Sequence, residues 1–362
     1  MTTISRLSTA VACTTLAGMP LVACSGSADN AGARSAPAVR SAEAGVTNGP
    51  IAFERYPTAR DDDRTGQIFV RSPDGAVRQL THFGGGAFQP AWSADGSQLV
   101  FQRRFARRHE PDRLYTMNAD GSGVRALLSG CTRARRCLGD DSPGFSPDGG
   151  RIAFQRVFGP IVRRTVSGGG FTEVLERASR VDLMILDIKS GALTRVKRYG
   201  SEPQPGYGTT NWSPDGTSLV LPIVTFKHAN KHSNEASAVH AITVHGGGQR
   251  RITPWALGAE SPDWSPDGGS IVFNSQGGHT PDVYSVKPDG SGLTRLTDVH
   301  EDKAAGTQPA WSPDGRQIVF ARDVSRRFRG LQISVMNADG TNQHRLTNSS
   351  RMELKPAWGP SR

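Results

Sequence analysis

The chain has 362 residues, 36% of them hydrophobic and 21% charged, and Lys and Arg outnumber Asp and Glu 43 to 33 for a formal charge of +10. That excess favours anionic neighbours such as acidic envelope polymers, phospholipid head groups or an acidic protein, although abundant Arg, Ala and Gly also follow from a GC-rich genome. Beyond the first two dozen residues no apolar run approaches the ~20 residues that cross a bilayer. No nucleic-acid-binding motif is present either, so a nucleic-acid partner is set aside.

Residues 1–23 read as a lipoprotein signal peptide. Arg6 supplies the positive start, and Leu7 to Val22 is mildly apolar but interrupted by Ser8, Thr9, Thr14, Thr15 and Pro20, too polar and too short for a membrane span. Leu21-Val22-Ala23-Cys24 resembles a lipobox, whose cysteine is acylated and becomes the new N-terminus; an ordinary cleaved signal is the alternative. On this reading the protein is exported and held only by a lipid anchor at Cys24, on the outer face of the cytoplasmic membrane or in the periplasm or outer membrane. Residues 24–49 are Ala, Gly and Ser with little else that is apolar, and form a flexible tether.

A repeat then begins. Pro50 to Thr81 supplies three strands, Ile51-Ala52-Phe53-Glu54, Gln67-Ile68-Phe69-Val70 and Arg78-Gln79-Leu80-Thr81. From Pro90 onward each unit opens on an aromatic marker and a turn. Trp-Ser-Pro-Asp-Gly stands intact at Trp212, Trp264 and Trp311, and edited at Trp92 and Phe145. Markers follow one another at 53, 67, 52, 47 and 47 residues, close to or above the roughly 40–50 of propeller blades. The unit Pro309 to Thr347 shows the grammar. Pro309-Ala310-Trp311-Ser312 is a strand and Pro313-Asp314-Gly315 a turn, with Pro and Gly where a tight turn needs them. Gln317-Ile318-Val319-Phe320-Ala321 and Leu331-Gln332-Ile333-Ser334-Val335-Met336 are strands, Asn337-Ala338-Asp339-Gly340 is a second turn, and His344-Arg345-Leu346-Thr347 is the fourth strand. Four antiparallel strands with two tight turns at one end make one blade.

The first unit lacks its marker strand, and an orphan copy, Pro356-Ala357-Trp358, stands near the C-terminus. One strand from the end and three from the start close the ring and remove two exposed edges. The expectation is an all-β fold over residues 50–362: a six-bladed β-propeller of four-stranded antiparallel blades, the first completed by the C-terminal strand. The repeats resemble the TolB-type β-propeller, in the turn strand Leu114-Tyr115-Thr116-Met117-Asn118-Ala119-Asp120-Gly121 and in Asp282 to Gly290. TolB carries an additional N-terminal domain for which this chain leaves no room. The resemblance makes an envelope-protein partner plausible, while fold alone does not assign function.

Cys131 and Cys137, six apart in one loop, read as a disulfide in an exported protein, worth roughly 2 kcal/mol on the chain-entropy model; zinc is the alternative. Length variation falls on the face opposite the turns: 57–66, 102–112, 130–142, 156–180, 225–236 and 322–329. Insertions on one face of a repeat array mark its binding face. Arg103, Arg104, Arg107, Arg108, Arg133, Arg135, Arg136, Arg163, Arg164, Arg326, Arg327 and Arg329 fall there too, so this face is expected to be positive, although neighbouring Asp and Glu can pair with many of them for only ~0–1 kcal/mol each. Trp255 lies outside the repeat pattern and is the aromatic candidate for contact. No G-x-S-x-G elbow or H-E-x-x-H is present, His228 and His232 sit in a lysine-flanked loop, and the recurrent turn aspartates have backbone duties. The expectation is a monomeric, non-catalytic propeller without cofactor or metal that binds an envelope protein or anionic polymer through its loop face. The rival is a glycan-active lyase or hydrolase with its site at the central channel.

Overall fold

The computed structural model describes residues 46–57, 65–105, 110–127, 130–168, 171–206, 208, 210–226, 236–276, 281–297, 306–323 and 330–361, with side chains described outside 162–177. The strands form six antiparallel sheets. In blade 1 the strand Glu353–Pro360 lies innermost, followed by Asn48–Arg55, Gln67–Arg71 and Val77–Gln79. The closing strand therefore pairs with the first one, Ala357 opposite Ala52 and Glu353 opposite Arg55. Arg55 donates to Glu353 Oε1 from Nε at 2.8 Å and Nη2 at 2.6 Å, and Thr347 also donates to the Glu353 carboxylate. Glu353 is fully buried, so removing either partner would strand a charge in the interior.

Blade 6 runs Gly306–Trp311, Gln317–Asp323, Leu331–Asn337 and His344–Arg345, within three residues of the strands read from sequence. In each blade the second strand carries an aliphatic–x–aromatic or aliphatic core whose side chains fill the seam to the next blade. Phe53, Phe101, Phe154, Phe273 and Phe320 are wholly buried in this way, each contributing about 1.5–3 kcal/mol. The seams form a closed cycle. Ile68 of blade 1 meets Trp92 and Phe101, Val100 meets Phe154, Leu183 meets Trp212, Val239 meets Phe273, Val272 meets Phe320, and Val319 returns to Phe53. The aromatic markers sit between blades as expected. Trp92 Nε1 donates to Ala357 O and Trp212 Nε1 to Gly144 O, both at 3.1 Å.

The turn chemistry repeats as closely. In the Ser-x-Asp-Gly turns, Ser93, Ser265 and Ser312 donate to Asp95, Asp267 and Asp314 at 2.6, 2.5 and 2.7 Å. Each aspartate also accepts the backbone N–H two residues on. Gly315 closes its turn at φ 71°, in the left-handed region. Bonds from Ser93 and the Ser97 backbone hold the Asp95 carboxyl down to about 2.

Two features differ from expectation. Residues 156–180 are not an irregular loop: the second and third strands of blade 3, Arg151–Gly168 and Phe171–Asp187, continue as one antiparallel hairpin of 18 and 17 residues. The inner strand of blade 4 is split into Gln204–Pro205 and Asn211–Trp212, both paired with Ser218–Thr225. Among the described residues no helix is long and apolar enough to cross a membrane.

Candidate functional site

The inner strands of blades 2 to 6 each run toward a Ser-x-Asp-Gly turn, so the channel mouth at the other end is ringed by the starts of the inner strands and by the variable connections. Three residues before the aromatic marker the inner strands of five blades bulge. Gln89, Ser142, Ser261, Gln308 and Lys355 all have φ between 48° and 54°, and the ladder register shifts there. The freed N–H groups are taken up by side chains of the neighbouring blade. Gln89 N–H donates to Glu54 at 2.7 Å, Ser142 N–H to Gln89 at 2.6 Å, Gln308 N–H to Asn274 at 3.0 Å and Lys355 N–H to Gln308 at 2.8 Å. This belt was not read from the sequence. Its signal was a polar residue at marker minus three in five of the units, visible only once the markers are aligned.

The belt buries ionisable groups. Glu54 accepts from Tyr56 as well as Gln89, and burial raises its pKa. Asp263 accepts the Trp311 N–H at 2.7 Å and is pushed up to about 7 by burial. Lys355, in the channel wall, is lowered by burial. Beside the belt, Asp141 is raised to about 7, first by burial and further by Asp112 and Asp140. The Ser142 hydroxyl stands near this carboxylate without closing a hydrogen bond to Oδ1.

Blades 2 and 3 are knitted together at this mouth. Asp112 N–H donates to Leu138 O at 3.3 Å and Asp140 N–H to Asp112 O at 3.0 Å. Gly139 allows the approach, since a Cβ there would stand 2.9 Å from Asp112 Cβ. Arg156 Nε donates to the buried Asp140 at 2.7 Å.

The basic residues read from the sequence separate into four groups. Arg103 and Arg104 are built into blade 2. Arg103 lies over Phe83, Phe105 and Tyr115 at 4.3, 4.8 and 5.1 Å and donates to the Tyr115 hydroxyl. Arg104 covers Phe88 at 4.8 Å and pairs with Asp112 at 3.3 Å. Neither is a free surface cation, because aromatic faces and a carboxylate already hold them. Arg133, Arg135 and Arg136 are exposed on a short 3-10 turn. That turn is closed by the Cys131–Cys137 disulfide, with both cysteines buried. Arg163 and Arg164 lie on the long hairpin, with side chains outside the described set. Cys24, Arg107, Arg108, His228, His232, Arg326, Arg327 and Arg329 fall outside the described residues.

Trp255 sits in the 3-10 turn Trp255–Leu257 and packs against the seam between blades 3 and 4. Its ring centroid is 5.4 Å from that of His240. It is a half-buried packing residue rather than a free aromatic at the rim.

Cys131, Cys137 and Asp140 cluster closely enough to suggest a metal, but both sulfurs are consumed in the disulfide and Asp140 is held by Arg156. The zinc alternative therefore loses its ligands. Next to this turn a cavity of about 630 Å³ is lined by Glu110, Arg133, Arg136 and Leu138. A second, of about 340 Å³, shares Leu138 and continues inward past Ile161 to Asp141. Leu138 and Ile161 are 40% and 43% exposed, so the groove between blades 2 and 3 has an apolar floor edge beside a basic wall.

Comparison with known proteins follows the same lines. The chain is similar to the uncharacterized protein Atu1656 of Agrobacterium fabrum, 31% identical over 24% of this chain and 27% of that protein. It is also similar to the uncharacterized peptidase YuxL of Bacillus subtilis, 25% identical over 42% of this chain and 22% of that protein. The chain thus spans about a quarter of the length of the curated relatives it matches. Among solved structures, TolB from Acinetobacter baumannii matches with a TM-score of 0.62 at 18% identity, over 86% of this chain and 66% of that one. Hydrazine synthase from Kuenenia stuttgartiensis matches with 0.59 at 15%, over 87% and 47%. At such identities the likeness is one of fold. The family model described as the TolB beta propeller domain matches residues 175–362, more than half of the chain, and the chain belongs to that family.

Proposed function

We propose that the protein is an exported, monomeric, non-catalytic propeller of the cell envelope that binds an envelope protein, or an anionic envelope polymer, through its variable face. The observation that carries this reading is the disulfide-braced turn presenting exposed Arg133, Arg135 and Arg136 beside the apolar rim of Leu138 and Ile161. A fixed basic edge next to an apolar groove gives steering from the charges and contact area from the groove. The repeated Ser–Asp pairs of the opposite face support a scaffold role, since the same pair in blade after blade serves the turn and not a unique site. The TolB family supports a protein partner over a polymer. Residues 1–23 act as the signal, Cys24 as the acylated anchor and 24–49 as the tether.

Capture from envelope extract tests the reading. The wild-type chain and an Arg133→Glu/Arg135→Glu/Arg136→Glu variant are compared, and the variant is expected to lose the main partner. Identical captured sets would overturn the basic-edge reading. Cys24→Ala is expected to move the protein from the membrane to the soluble fraction, and unchanged fractionation would remove the anchor from the account.

A further inference from the structure

The inner cavity of about 340 Å³ differs in chemistry from the basic edge outside it. Asp141, from the inner strand of blade 3, and Gln204, from the inner strand of blade 4, both line it and are only 6% and 4% exposed. Asp141 Oδ1 and Gln204 Oε1 are buried and make no hydrogen bond. Native interiors seldom leave buried polar atoms unmatched, and both residues line the cavity, so a donor entering there meets an under-satisfied carboxylate. The nearby cations are engaged elsewhere, Arg104 with Asp112 and Arg156 with Asp140. Val157, Ala178 and Val181 line the same cavity with aliphatic surface, and Ile161 stands at its exposed rim.

We infer that this cavity receives a lysine or arginine side chain presented by the bound partner, its methylenes against Val157 and Val181 and its charged head donating to the Asp141 carboxylate beside Gln204. The inference rests on the reading that the variable face is where a partner lands. A long cationic side chain matches the two walls, since its stem is apolar and only its tip is charged. Charge-assisted bonds to a buried carboxylate are among the stronger ones. A bare hard cation matches less well. Calcium takes six to eight oxygens at about 2.3–2.6 Å, whereas among the described residues the one cluster of three converging His, Cys, Asp or Glu ligands is the disulfide cysteines with Asp140.

Calorimetric titration of the full exported chain tests it, with Nα-acetyl-lysine methylamide, its norleucine counterpart and calcium chloride as separate probes. The lysine compound is expected to bind and the norleucine compound not to. Asp141→Asn should weaken binding tenfold or more. Ile161→Arg, at an exposed position that leaves the fold intact, should block it with an unchanged melting temperature. Equal binding of the two compounds, or wild-type affinity in both variants, would overturn the inference. Calcium binding lost in Asp141→Asn, without binding of the lysine compound, would replace it with a metal site. If the lysine compound binds while the triple arginine variant still captures every partner, the cavity stands and the basic edge fails; the opposite pair of results fails the cavity alone.

Discussion

The turns and the inner strands that lead into them obey opposite electrostatic rules. At the turn end, Asp95, Asp148 and Asp267 are held low by serine hydroxyls and backbone N–H groups. In each of these carboxylates Oδ1 accepts from a serine hydroxyl and from a backbone N–H. Within the inner strands, Asp141 and Asp263 rise to about 7 because burial removes water faster than hydrogen bonds replace it. A propeller can therefore repeat one solution at one end, where each blade is self-sufficient, while the other end combines different residues from adjacent blades. The repeated end builds the scaffold, and the unrepeated end has the variety a binding site needs.

Breaking the scaffold should have the largest effect. Deleting residues 353–360 removes the inner strand of blade 1, the Arg55–Glu353 pair and the packing of Trp358 in the closing seam. The expected result is loss of the cooperative thermal transition and a shift to aggregates in gel filtration. Restoring the strand as a covalently linked peptide should recover the transition.

The electrostatic contrast predicts opposite pH responses. A carboxyl raised in the folded state binds a proton that the unfolded chain releases near 3.8. Its stabilisation is complete below that value and is lost as pH rises through about 7. At about 1.4 kcal/mol per pH unit, each of Asp141 and Asp263 accounts for at most on the order of 4 kcal/mol. Asp141→Asn and Asp263→Asn should therefore flatten the fall in urea midpoint between pH 4 and 7. Asp112, Asp140 and Arg104 surround Asp141 and remain in the variant. Asp95 has the reverse sign: its contribution is present above 3.8 and lost as pH falls through about 2. A smaller effect belongs to one turn. Ser312→Ala removes the bonds to Asp314 and from Gln317 N–H and should lower stability by about 1 kcal/mol, measured by urea unfolding.

The architecture was largely legible because its determinants are local. The marker, Pro, Asp and Gly of each turn act within five residues, and Trp358 revealed the shared blade as an orphan copy. What stayed hidden depends on neighbours distant in sequence. Arg103 and Arg104 look like surface charge until Phe83, Phe88, Tyr115 and Asp112 are brought against them. Asp141 lies in a Gly-Asp-Asp-Ser-Pro-Gly stretch that reads as exposed turn, and only packing of blades 2, 3 and 4 buries it. The long hairpin had a readable sign, Gly168-Gly169-Gly170 between alternating apolar residues, but its length masked it as an insertion. Trp255 was singled out for falling outside the repeat, which here reflects a seam filled by an irregular turn.

Charge reversal at either end isolates the central claim, that the partner lands on the variable face. Arg133→Glu/Arg135→Glu/Arg136→Glu alters that face, and Lys189→Glu/Lys287→Glu alters exposed lysines at the turn end. Exposed substitutions of this kind leave stability within about 0.5 kcal/mol, so capture from envelope extract reads binding alone. The account predicts that the arginine variant loses the partner and the lysine variant retains it. Full capture by the arginine variant, or equal loss in both, would contradict it.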